Sequence, residues 1–460
     1  MRFSAICLSC LLLFMGGAPL SAADPDDAFR MTPGVSRGEV LRRTLAPFAG
    51  PSNHGVDPTT LTGKVMCGYQ GWFTCPGDGA GRGWHHWGRG GRFEPGACSI
   101  DLWPDVSELP SDLRYDTPFK LPSGEPAQVY SPLDAATVDL HFQWMADHGI
   151  DGVFVQRFGV EVRGAAGLHH FNRVLSNCRA GANRHGRAWA VMYDLSGLPE
   201  GGTQTVIDDW KQLVDRARIA HDPADQAYLR HNGKPVVAVW GVGFNDNRRY
   251  TLEECARLID FLANDPEYGG ACVMLGVPTY WRTLSRDCLP DERLHDILRS
   301  ADIVSPWMVG RFRTPEEAER IAAEVWRPDL QWCREQRLDY LPVVFPGFSW
   351  HNMRPDTPLG ATPRLGGRFL WEQFRQLRLA GATMVYQAMF DEVDEATAIF
   401  KCTNQPPEGE SRFLDYEGLP SDHYLWLVGQ GGRLIRGEIP PTPGLPPREA
   451  AQPHSPNSND

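Results

Sequence analysis

The amino-acid sequence predicts an α/β fold, a single (β/α)8 TIM barrel with a long insertion after strand 1. Short apolar runs recur along the chain, helical patterns lie between them, and the length of 460 residues suits one barrel with insertions. Most runs lack strict alternation of apolar and polar residues, which is typical of parallel strands covered on both faces. The repeated order of strand, loop and helix therefore favours a barrel over several small domains.

The predicted strands are rich in β-branched and apolar residues. They are the runs 64–73, 152–158, 188–195, 235–243, 272–280, 302–309, 340–348 and 383–390. Helices are predicted between them at 134–148, 251–262, 315–332 and 366–379, and after the last strand at 421–428. In the first of these helices Val138, Phe142 and Met145 recur at about one helical turn, and Gly149 follows as a stop signal.

The insertion after strand 1 covers residues 74–133 and is rich in glycine around Trp84, His85, His86 and Trp87. Loops of this length inside a compact domain are usually functional. In a barrel, the loops that follow the strands surround the catalytic end. We therefore expect the insertion to wall one side of the site.

The two ends of the chain predict segments outside the barrel. Residues 1–23 combine Arg2, an apolar run through Phe14 and the small residues Ser21-Ala22-Ala23, the pattern of a cleavable signal peptide. This predicts a secreted or periplasmic protein, with an N-terminal extension at 24–60 and a barrel at 61–436. Residues 437–460 are rich in Pro, Ser and Asn and predict a disordered tail.

Charge and hydropathy exclude several partners. The net charge of −12 argues against nucleic acid or an anionic membrane as partner, because both bind basic surfaces. No run after the signal is long and apolar enough to predict a membrane-spanning helix. The sequence does not determine the oligomeric state.

The cysteines leave their pairing open. Eleven cysteines less Cys7 and Cys10 of the signal leave nine, an odd number, so at least one thiol stays unpaired in a monomer. Cys75 with Cys98, and Cys272 with Cys288, are candidate disulfides, and buried free thiols are the alternative. No spacing resembles a zinc site, so the sequence predicts neither a metal nor a cofactor.

Aromatic and polar side chains follow nearly every predicted strand. Aromatic rings stack on sugars and polar groups fix hydroxyls, so this combination favours a neutral glycan as ligand. The alternative is that several of the tryptophans only pack the barrel rim. The candidate substrate-binding residues at strand ends and in the insertion are Tyr69, Trp72, His85, His86, Trp87, Gln156, Arg157, Asp194, Trp240, Tyr280, Trp307 and Trp350.

Four of these candidates have specific alternatives. The adjacent His85 and His86 could bind metal, contact substrate or pack the loop, although adjacent side chains diverge and no third metal ligand is visible. Arg157 could be a buried salt-bridge partner of an acidic residue, Glu392 or Asp394, or could bind substrate. Asp194 could be a hydrogen-bond anchor or a ligand of sugar hydroxyls.

The last predicted strand ends in the acidic segment (residues 391–395), which contains Asp391, Glu392, Asp394 and Glu395. Crowded carboxylates raise one another's pKa values, which keeps an acid protonated near neutral pH. Glycoside cleavage needs two carboxyls, one to protonate the departing oxygen and one to assist on the other side. In a helical turn, residues three apart share a face, so Glu392 and Glu395 would both point into the site. A solvated acidic loop, or a calcium site using Asp391 and Asp394, are the alternatives.

Two motifs resemble a known family. The run Asp391-Glu392-Val393-Asp394-Glu395-Ala396-Thr397 resembles the Asn-Glu-Trp-His-Glu-Gly-Thr segment that ends the last barrel strand of family 99 endo-α-mannosidases. Gly-Tyr-Gln-Gly-Trp at 68–72 resembles that family's first strand, and 152–158 its second. Over residues 64–430, the chain is similar to the wider family 71 and family 99 group, including secreted bacterial proteins often labelled xylosidase/arabinosidase. The chain differs from the motif in having Asp391, Val393 and Asp394 in place of Asn, Trp and His.

The resemblance implies a retaining glycoside hydrolase of α-linked or branched polysaccharides such as mannan, glucan or xylan. It makes Glu395 the general acid/base and Glu392 the second carboxylate, which would deprotonate the sugar 2-hydroxyl to form an epoxide-like intermediate. It also places Asp391 and Asp394 among the substrate-binding candidates. A non-catalytic glycan-binding barrel is the alternative. An esterase is disfavoured because the sequence has no Gly-X-Ser-X-Gly elbow and no evident triad.

Overall fold

A computed structural model gives the structure of the protein and describes residues 29–448. The predicted signal peptide at 1–23 and the start of the predicted N-terminal extension lie outside the described residues. From residue 29 onward the extension is placed, and its helix α1, Arg37–Thr44, packs against the long helix Ala165–His185.

The main sheet is curled and mostly parallel. Its strands follow the order β10-β9-β8-β7-β5-β4-β1-β12-β11, and a short antiparallel strand, β6, pairs with β7. The bounds are β1 Val65–Tyr69, β4 Gly152–Phe158, β5 Ala188–Asp194, β6 Arg230–His231, β7 Lys234–Trp240, β8 Cys272–Val277, β9 Ile303–Pro306, β10 Asp339–Tyr340, β11 Val343–Val344 and β12 Val385–Gln387. Apart from β6, which was not predicted, these lie within, or within one residue of, the predicted runs, and they are shorter where the predictions extended into the loops.

The two ends of this sheet belong to one stretch of chain. β10 pairs with β9 and β11 pairs with β12, and only Leu341 and Pro342 separate β10 from β11. The amide of Leu341 donates to the carbonyl of Val304, and the carbonyl of Pro342 accepts from the amide of Tyr386. Proline has no amide hydrogen, which explains why one predicted strand is split in two. The curled sheet is consistent with a (β/α)8 barrel.

Helices lie between the strands and cover the sheet. Their bounds are α2 Ala135–Asp147, α3 Ala165–His185, α4 Thr203–Ala217, α5 Leu252–Asn264, α6 Arg293–Arg299, α7 Pro315–Ile321, α8 Arg327–Gln336, α9 Arg368–Ala380 and α10 His423–Arg436. The predicted helix 315–332 divides into α7, a π-helical turn at Ala322–Trp326, and α8, whose first turn contains Pro328. Proline has no amide hydrogen to donate within a helix, so the helix widens into a π-helical turn just before Pro328.

Residues 70–134, between β1 and α2, contain the antiparallel pair β2 (Tyr115–Lys120) and β3 (Pro126–Val129). This segment packs onto the chain that follows β12. The amide of Asp101 donates to the carbonyl of Val393, and the amide of Thr403 donates to the carbonyl of Trp103. Residues from this segment thereby reach the carboxyl end of the sheet.

Part of the predicted tail is placed in the structure. The indole of Trp371 donates to the carbonyl of Thr442, and the guanidinium of Arg375 donates to that of Pro441. Arg448 also pairs with Asp422 at 2.7 Å. These contacts with α9 and the start of α10 correct the prediction of disorder for residues 437–448, while residues 449–460 lie outside the described part.

The nine cysteines of the described chain are free, buried thiols. Cys75 donates to the carbonyl of Tyr130 and Cys98 to that of Ile100, so neither forms the predicted disulfide with the other. Cys272 and Cys288 are likewise unpaired with one another. In residues 29–448 no helix is long and apolar enough to cross a membrane.

Candidate active site

A cavity of about 370 Å³ opens at the carboxyl end of the sheet. Its wall comes from the ends of several strands and from the segment after β1, as expected for the catalytic end of such a fold. The lining residues are Gln70, Trp72, His85, His86, Gln156, Phe158, Val160, Glu161, Phe171, Asp194, Ser196, Trp240, Trp307, Met389, Glu392 and Glu395.

The acidic segment presents two of its four carboxyls to this cavity. Glu392 and Glu395 line the cavity, whereas Asp391 and Asp394 are buried outside it. A turn over residues 393–396 produces this division, because side chains three apart lie on one side of it. Asp391 and Asp394 are therefore supports of the site rather than parts of its wall.

Glu392 is held at both carboxylate oxygens. Gln70 Nε2 donates to Oε1 at 2.7 Å and Thr397 Oγ1 donates to Oε2 at 2.5 Å. Burial, the charge of Glu395 and the charge of Asp394 raise the pKa of Glu392 well above its usual range, while the bonds from Thr397 and Gln70 act in the opposite direction. The carboxyl is thus fixed in orientation, and its proton affinity is raised by its surroundings.

Glu395 is half-buried, and its side chain forms no hydrogen bond with another described residue. Burial and the charge of Asp394 raise its pKa to about 7, opposed by the positive charge of Arg354. A carboxyl with this pKa that faces a cavity is suited to general acid/base work near neutral pH.

Asp391 links the last strand to the first. Its two carboxylate oxygens accept from the backbone amides of Gln70 and Gly71 at 2.7 and 2.8 Å. Burial raises the pKa of Asp391 to about 7 even though these two amides lower it. Asp391 is fully buried and does not line the cavity, so the structure gives it a supporting role and not the predicted substrate contact.

Asp394 contacts the predicted histidine cluster. Its Oδ2 lies 3.1 Å from Nδ1 of His86, while its Oδ1 has no partner among the described residues. Burial raises the pKa of Asp394 to about 8. Burial and the cationic neighbours His85 and Arg82 lower the pKa of His86 to about 3. A neutral imidazole therefore faces a largely protonated carboxyl at neutral pH.

Aromatic rings form two sides of the cavity. The ring of Trp72 stacks on His86 with a centroid separation of 3.9 Å and an interplanar angle of 5°, and stacks on Phe158 at 5.2 Å. Trp240 and Trp307 meet edge to face at 5.5 Å. The indole nitrogens of Trp72 and Trp240 have no hydrogen-bond partner among the described residues. These rings supply stacking faces of the kind that sugar sites use.

Three predicted substrate-binding residues are instead part of the core. Tyr69 is buried, with its hydroxyl 2.9 Å from Nδ1 of His141. Trp87 is buried against Phe73, with ring centroids 4.2 Å apart. Neither side chain lines the cavity.

Arg157 is the third of these buried residues. It does not form the salt bridge with Glu392 or Asp394 that was one of its two predicted alternatives. Its guanidinium pairs with Asp209 of α4, with NH2 at 2.7 Å from Oδ1, and the same nitrogen donates to Asn172. Both charged groups are buried. Neighbouring residues of a strand point to opposite faces, so Gln156 lines the cavity while Arg157 points into the layer of helices.

Two other predicted residues lie away from the cavity wall. Tyr280 is half-buried, and the guanidinium of Arg286 lies over its ring at 4.2 Å. Trp350 packs beside Phe348 at 5.2 Å, with Arg354 over its ring. Tyr280 borders another hollow of the surface, and neither residue lines the cavity that contains Glu392 and Glu395.

His85 and Asp194 line the cavity, beside residues that sequence reasoning did not single out. Glu161 pairs with Arg82 at 2.7 Å, and its carboxylate lies 3.6 Å from His85. Burial raises the pKa of Glu161, but the bond from His85 and the charge of Arg82 lower it overall. Asp194 accepts from the amide of Ser196 at 2.6 Å. Gln70 and Phe158 could have been found from the sequence, because each stands at the end of a strand. Glu161 and Arg82 carry no such local pattern.

In residues 29–448 no group of three or more His, Cys, Asp or Glu side chains could hold a metal ion. Asp391, one of the two acids of the calcium alternative, accepts from the backbone amides of Gln70 and Gly71. The site is therefore described by its carboxyls, its neutral histidine and its aromatic rings.

Solved structures share this fold. The GH99 endo-α-mannosidase from Bacteroides thetaiotaomicron superimposes with a TM-score of 0.60 at 18% identity, covering 82% of this chain and 99% of that chain. The same enzyme in complex with bis-tris-propane gives 0.58 at 18% identity with the same coverage. A glycoside hydrolase-like protein gives 0.50 at 14% identity, covering 88% of this chain and 98% of that chain.

No family model matches the sequence, and no curated protein matches it. The relationship therefore rests on the structures, and at such low identity it is a relationship of fold. The resemblance predicted from residues 68–72 and 391–397 is confirmed at that level. The chain has a fold similar to that of the family 99 endo-α-mannosidases.

Proposed function

We propose that this protein is a glycoside hydrolase whose reactive carboxyls are Glu392 and Glu395. One observation carries the proposal: both side chains line the same cavity, and the pKa of each is raised, for Glu395 to about 7. Glycosidases need one carboxyl that is protonated and one that is ionised at the same pH. The charge of Glu395 raises the pKa of Glu392, so the state in which one of the two carboxyls holds a proton is favoured over the state in which both are ionised, and this meets that need.

The hydrogen bonds indicate where the shared proton lies. Both oxygens of Glu392 accept bonds, from Gln70 and Thr397, and these bonds favour the ionised form of the carboxyl. Glu395 has no such donors and holds the proton at lower cost. Glu395 is therefore the general acid, which protonates the departing oxygen, and Glu392 is the ionised partner.

The family resemblance suggests how Glu392 acts. It would accept the proton of the sugar 2-hydroxyl while that oxygen attacks the anomeric carbon and the bond to the leaving group breaks. Glu395 gives its proton to the leaving oxygen. It then takes a proton from the water that attacks the anomeric carbon and opens the epoxide-like ring. Glu392 returns its proton to the 2-oxygen, and the product retains its anomeric configuration.

The substrate we propose is an α-linked or branched polysaccharide of mannan, glucan or xylan type. Trp72, Phe158, Trp240 and Trp307 would stack on sugar rings, and Gln156 and Asp194 would bind hydroxyls. The signal-like residues 1–23 support secretion or a periplasmic location, where such polymers occur.

A substrate screen with matched variants tests the assignment. The purified protein, Glu395→Gln, Glu392→Gln and the exposed control Glu335→Gln are incubated with α-mannan, α-glucan and arabinoxylan, and released sugars are measured. We expect wild type and Glu335→Gln to be active and each cavity variant to lose at least a hundredfold in kcat. Activity that survives both cavity substitutions would refute the assignment.

Two further readouts separate the alternatives. The anomeric configuration of the first product, followed by NMR, distinguishes retention from inversion. Binding of an oligosaccharide without turnover by the wild-type protein would replace the hydrolase with the glycan-binding barrel. In that case Trp72→Ala would weaken oligosaccharide binding, and Glu395→Gln would not change the rate of hydrolysis because the wild type has none.

A further inference from the structure

His86 and Asp394 form a second pair of side chains at the cavity. The side chain of Asp394 is 2% exposed, and its Oδ2 lies 3.1 Å from Nδ1 of His86. His86 lines the cavity, and its side chain is 31% exposed. The pair therefore connects the buried side of the acidic segment to the open side of the cavity.

The ring of His86 is held in a single orientation. It lies on Trp72 at 3.9 Å and meets His85 edge to face at 4.7 Å. Its backbone is in the left-handed region, with φ of 61°, a conformation that persists only where the surroundings impose it. Because the ring cannot turn freely, the protonation of Nδ1 decides whether Nε2 donates or accepts a hydrogen bond.

Nε2 of His86 forms no hydrogen bond with the described residues, whereas Nδ1 is engaged by Asp394. In a neutral imidazole one nitrogen donates and the other accepts. If Asp394 donates to Nδ1, the ring hydrogen must lie on Nε2. If Asp394 accepts from Nδ1, then Nε2 has only a lone pair.

The surroundings of Asp394 favour the first arrangement. Its Oδ1 is buried without a partner, which is costly for an ionised carboxylate. Burial and the negative charge of Asp101 favour the protonated carboxyl, and they outweigh the backbone amides of Asp394 and Glu395 and the charge of His85, which favour the ionised one. The titratable groups that act on Asp394 or on His86 are Asp101, Tyr130, Glu161, Arg82, His85, Asp391, Glu392 and Glu395.

We propose that Asp394 is a positioning residue that donates a hydrogen bond to Nδ1 of His86, and that Nε2–H of His86 then donates to an oxygen of the sugar in the cavity. The second half of this statement rests on the proposed function. The pair would replace, by an acid and a histidine from two segments, the single His found at position 394 in the family motif. Asp394 then acts on the substrate only through His86.

The tautomer can be measured without any substrate. Histidine-selective 15N labelling with two-bond 1H–15N correlation reports which ring nitrogen is protonated, and His86→Phe, which keeps a ring against Trp72, assigns the signal. We expect the Nε2–H tautomer at pH 6.5 in wild type and in Asp394→Asn, since the amide of Asn can still donate to Nδ1. Asp394→Leu removes the donor, and we expect a mixture. An Nδ1–H tautomer or an imidazolium in wild type at pH 6.5 would overturn the proposal.

Kinetics test the contact with the sugar. We expect Asp394→Leu and His86→Phe each to raise KM about three- to tenfold, the effect of one hydrogen bond, with a smaller change in kcat. The double variant should be no worse than the poorer single one, because both changes remove the same bond. Effects that add would show that the two residues act separately and would contradict the dyad. Circular dichroism of each variant establishes that it is folded.

The pH dependence gives a third readout. Burial raises the pKa of Asp394 to about 8, so the donor to Nδ1 is lost as the pH rises through that value. The KM of wild type should rise between pH 7 and 9, and that of Asp394→Asn should not. If wild type neither cleaves nor binds any glycan, the sugar contact fails together with the proposed function, while the spectrum still decides the tautomer. An Nε2–H tautomer with an active enzyme but unchanged KM in His86→Phe would overturn the sugar contact alone.

Discussion

The link between the last strand and the first is expected to be a main source of stability at the site. Asp391 accepts from the amides of Gln70 and Gly71, and all three groups are buried. In Asp391→Ala both amides lose their acceptor where water cannot replace it. A buried donor left unsatisfied costs about 1–3 kcal/mol, so two cost about 2–6 kcal/mol.

The same change should also reach Glu392. Gln70 carries one of the two lost backbone bonds, and its side chain donates to Glu392 Oε1. A shift of Gln70 loosens the carboxyl that we propose as the ionised partner. Activity should therefore fall in Asp391→Ala even at temperatures where the variant is fully folded.

Equilibrium unfolding in guanidinium chloride, followed by tryptophan fluorescence, measures the loss. The control is Asp260→Ala, which removes an exposed carboxyl that accepts one bond from Asn264. We expect the control to change the free energy of unfolding by less than about 0.5 kcal/mol. Asp391→Asn keeps one acceptor oxygen and should fall between the two. Equal midpoints for Asp391→Ala and the control would refute the reasoning.

Three more outcomes follow from the geometry. Arg157→Met or Asp209→Leu alone should destabilise the fold by about 3–5 kcal/mol, because each leaves a buried charge unpaired, and the double variant should recover most of this on thermal unfolding. Trp72→Ala should raise KM at least tenfold and Trp350→Ala less than threefold, since only Trp72 lines the cavity; equal effects would contradict the assignment of the wall. With Glu395 as the acid, kcat/KM should fall as the pH rises above about 7, and a rate that increases there would exclude this role.

Strand positions were predictable from the sequence because fully buried parallel strands leave long apolar runs, as at Gly152–Phe158, where prediction and structure coincide. Helix α3 was not predicted: its apolar stripe, with Leu168, Phe171 and Val174, is interrupted by the buried polar residues Asn172, Asn177, Arg179 and Asn183. Arg179 pairs there with Asp225. Such buried polar networks depend on partners far along the chain, which no local pattern reveals.

The site was predictable only to the level of segments. Alternation along a strand implies that Gln156 and Arg157 cannot both face a cavity, yet it does not say which one does. The partner of Arg157 decides this, and Asp209 stands 52 positions away on α4. In the insertion, His86 faces the cavity and Trp87 the core because of a left-handed residue. A non-glycine residue in that conformation leaves no reliable mark in a single sequence.

The acidic segment contains both the carboxyls that support the site and the carboxyls that face the cavity, and its composition alone does not show which acid has which role. Asp391 and Asp394 each make their contact to the chain that follows β1, one through the amides of Gln70 and Gly71 and the other through His86. The two glutamates between and after them are consequently fixed from behind while they face the cavity. When Asp394 is ionised, its negative charge raises the pKa of both Glu392 and Glu395, so the protonation state of Asp394 also affects that of the proposed reactive pair. Position and proton affinity are therefore coupled in this segment, because Asp394 contributes to both.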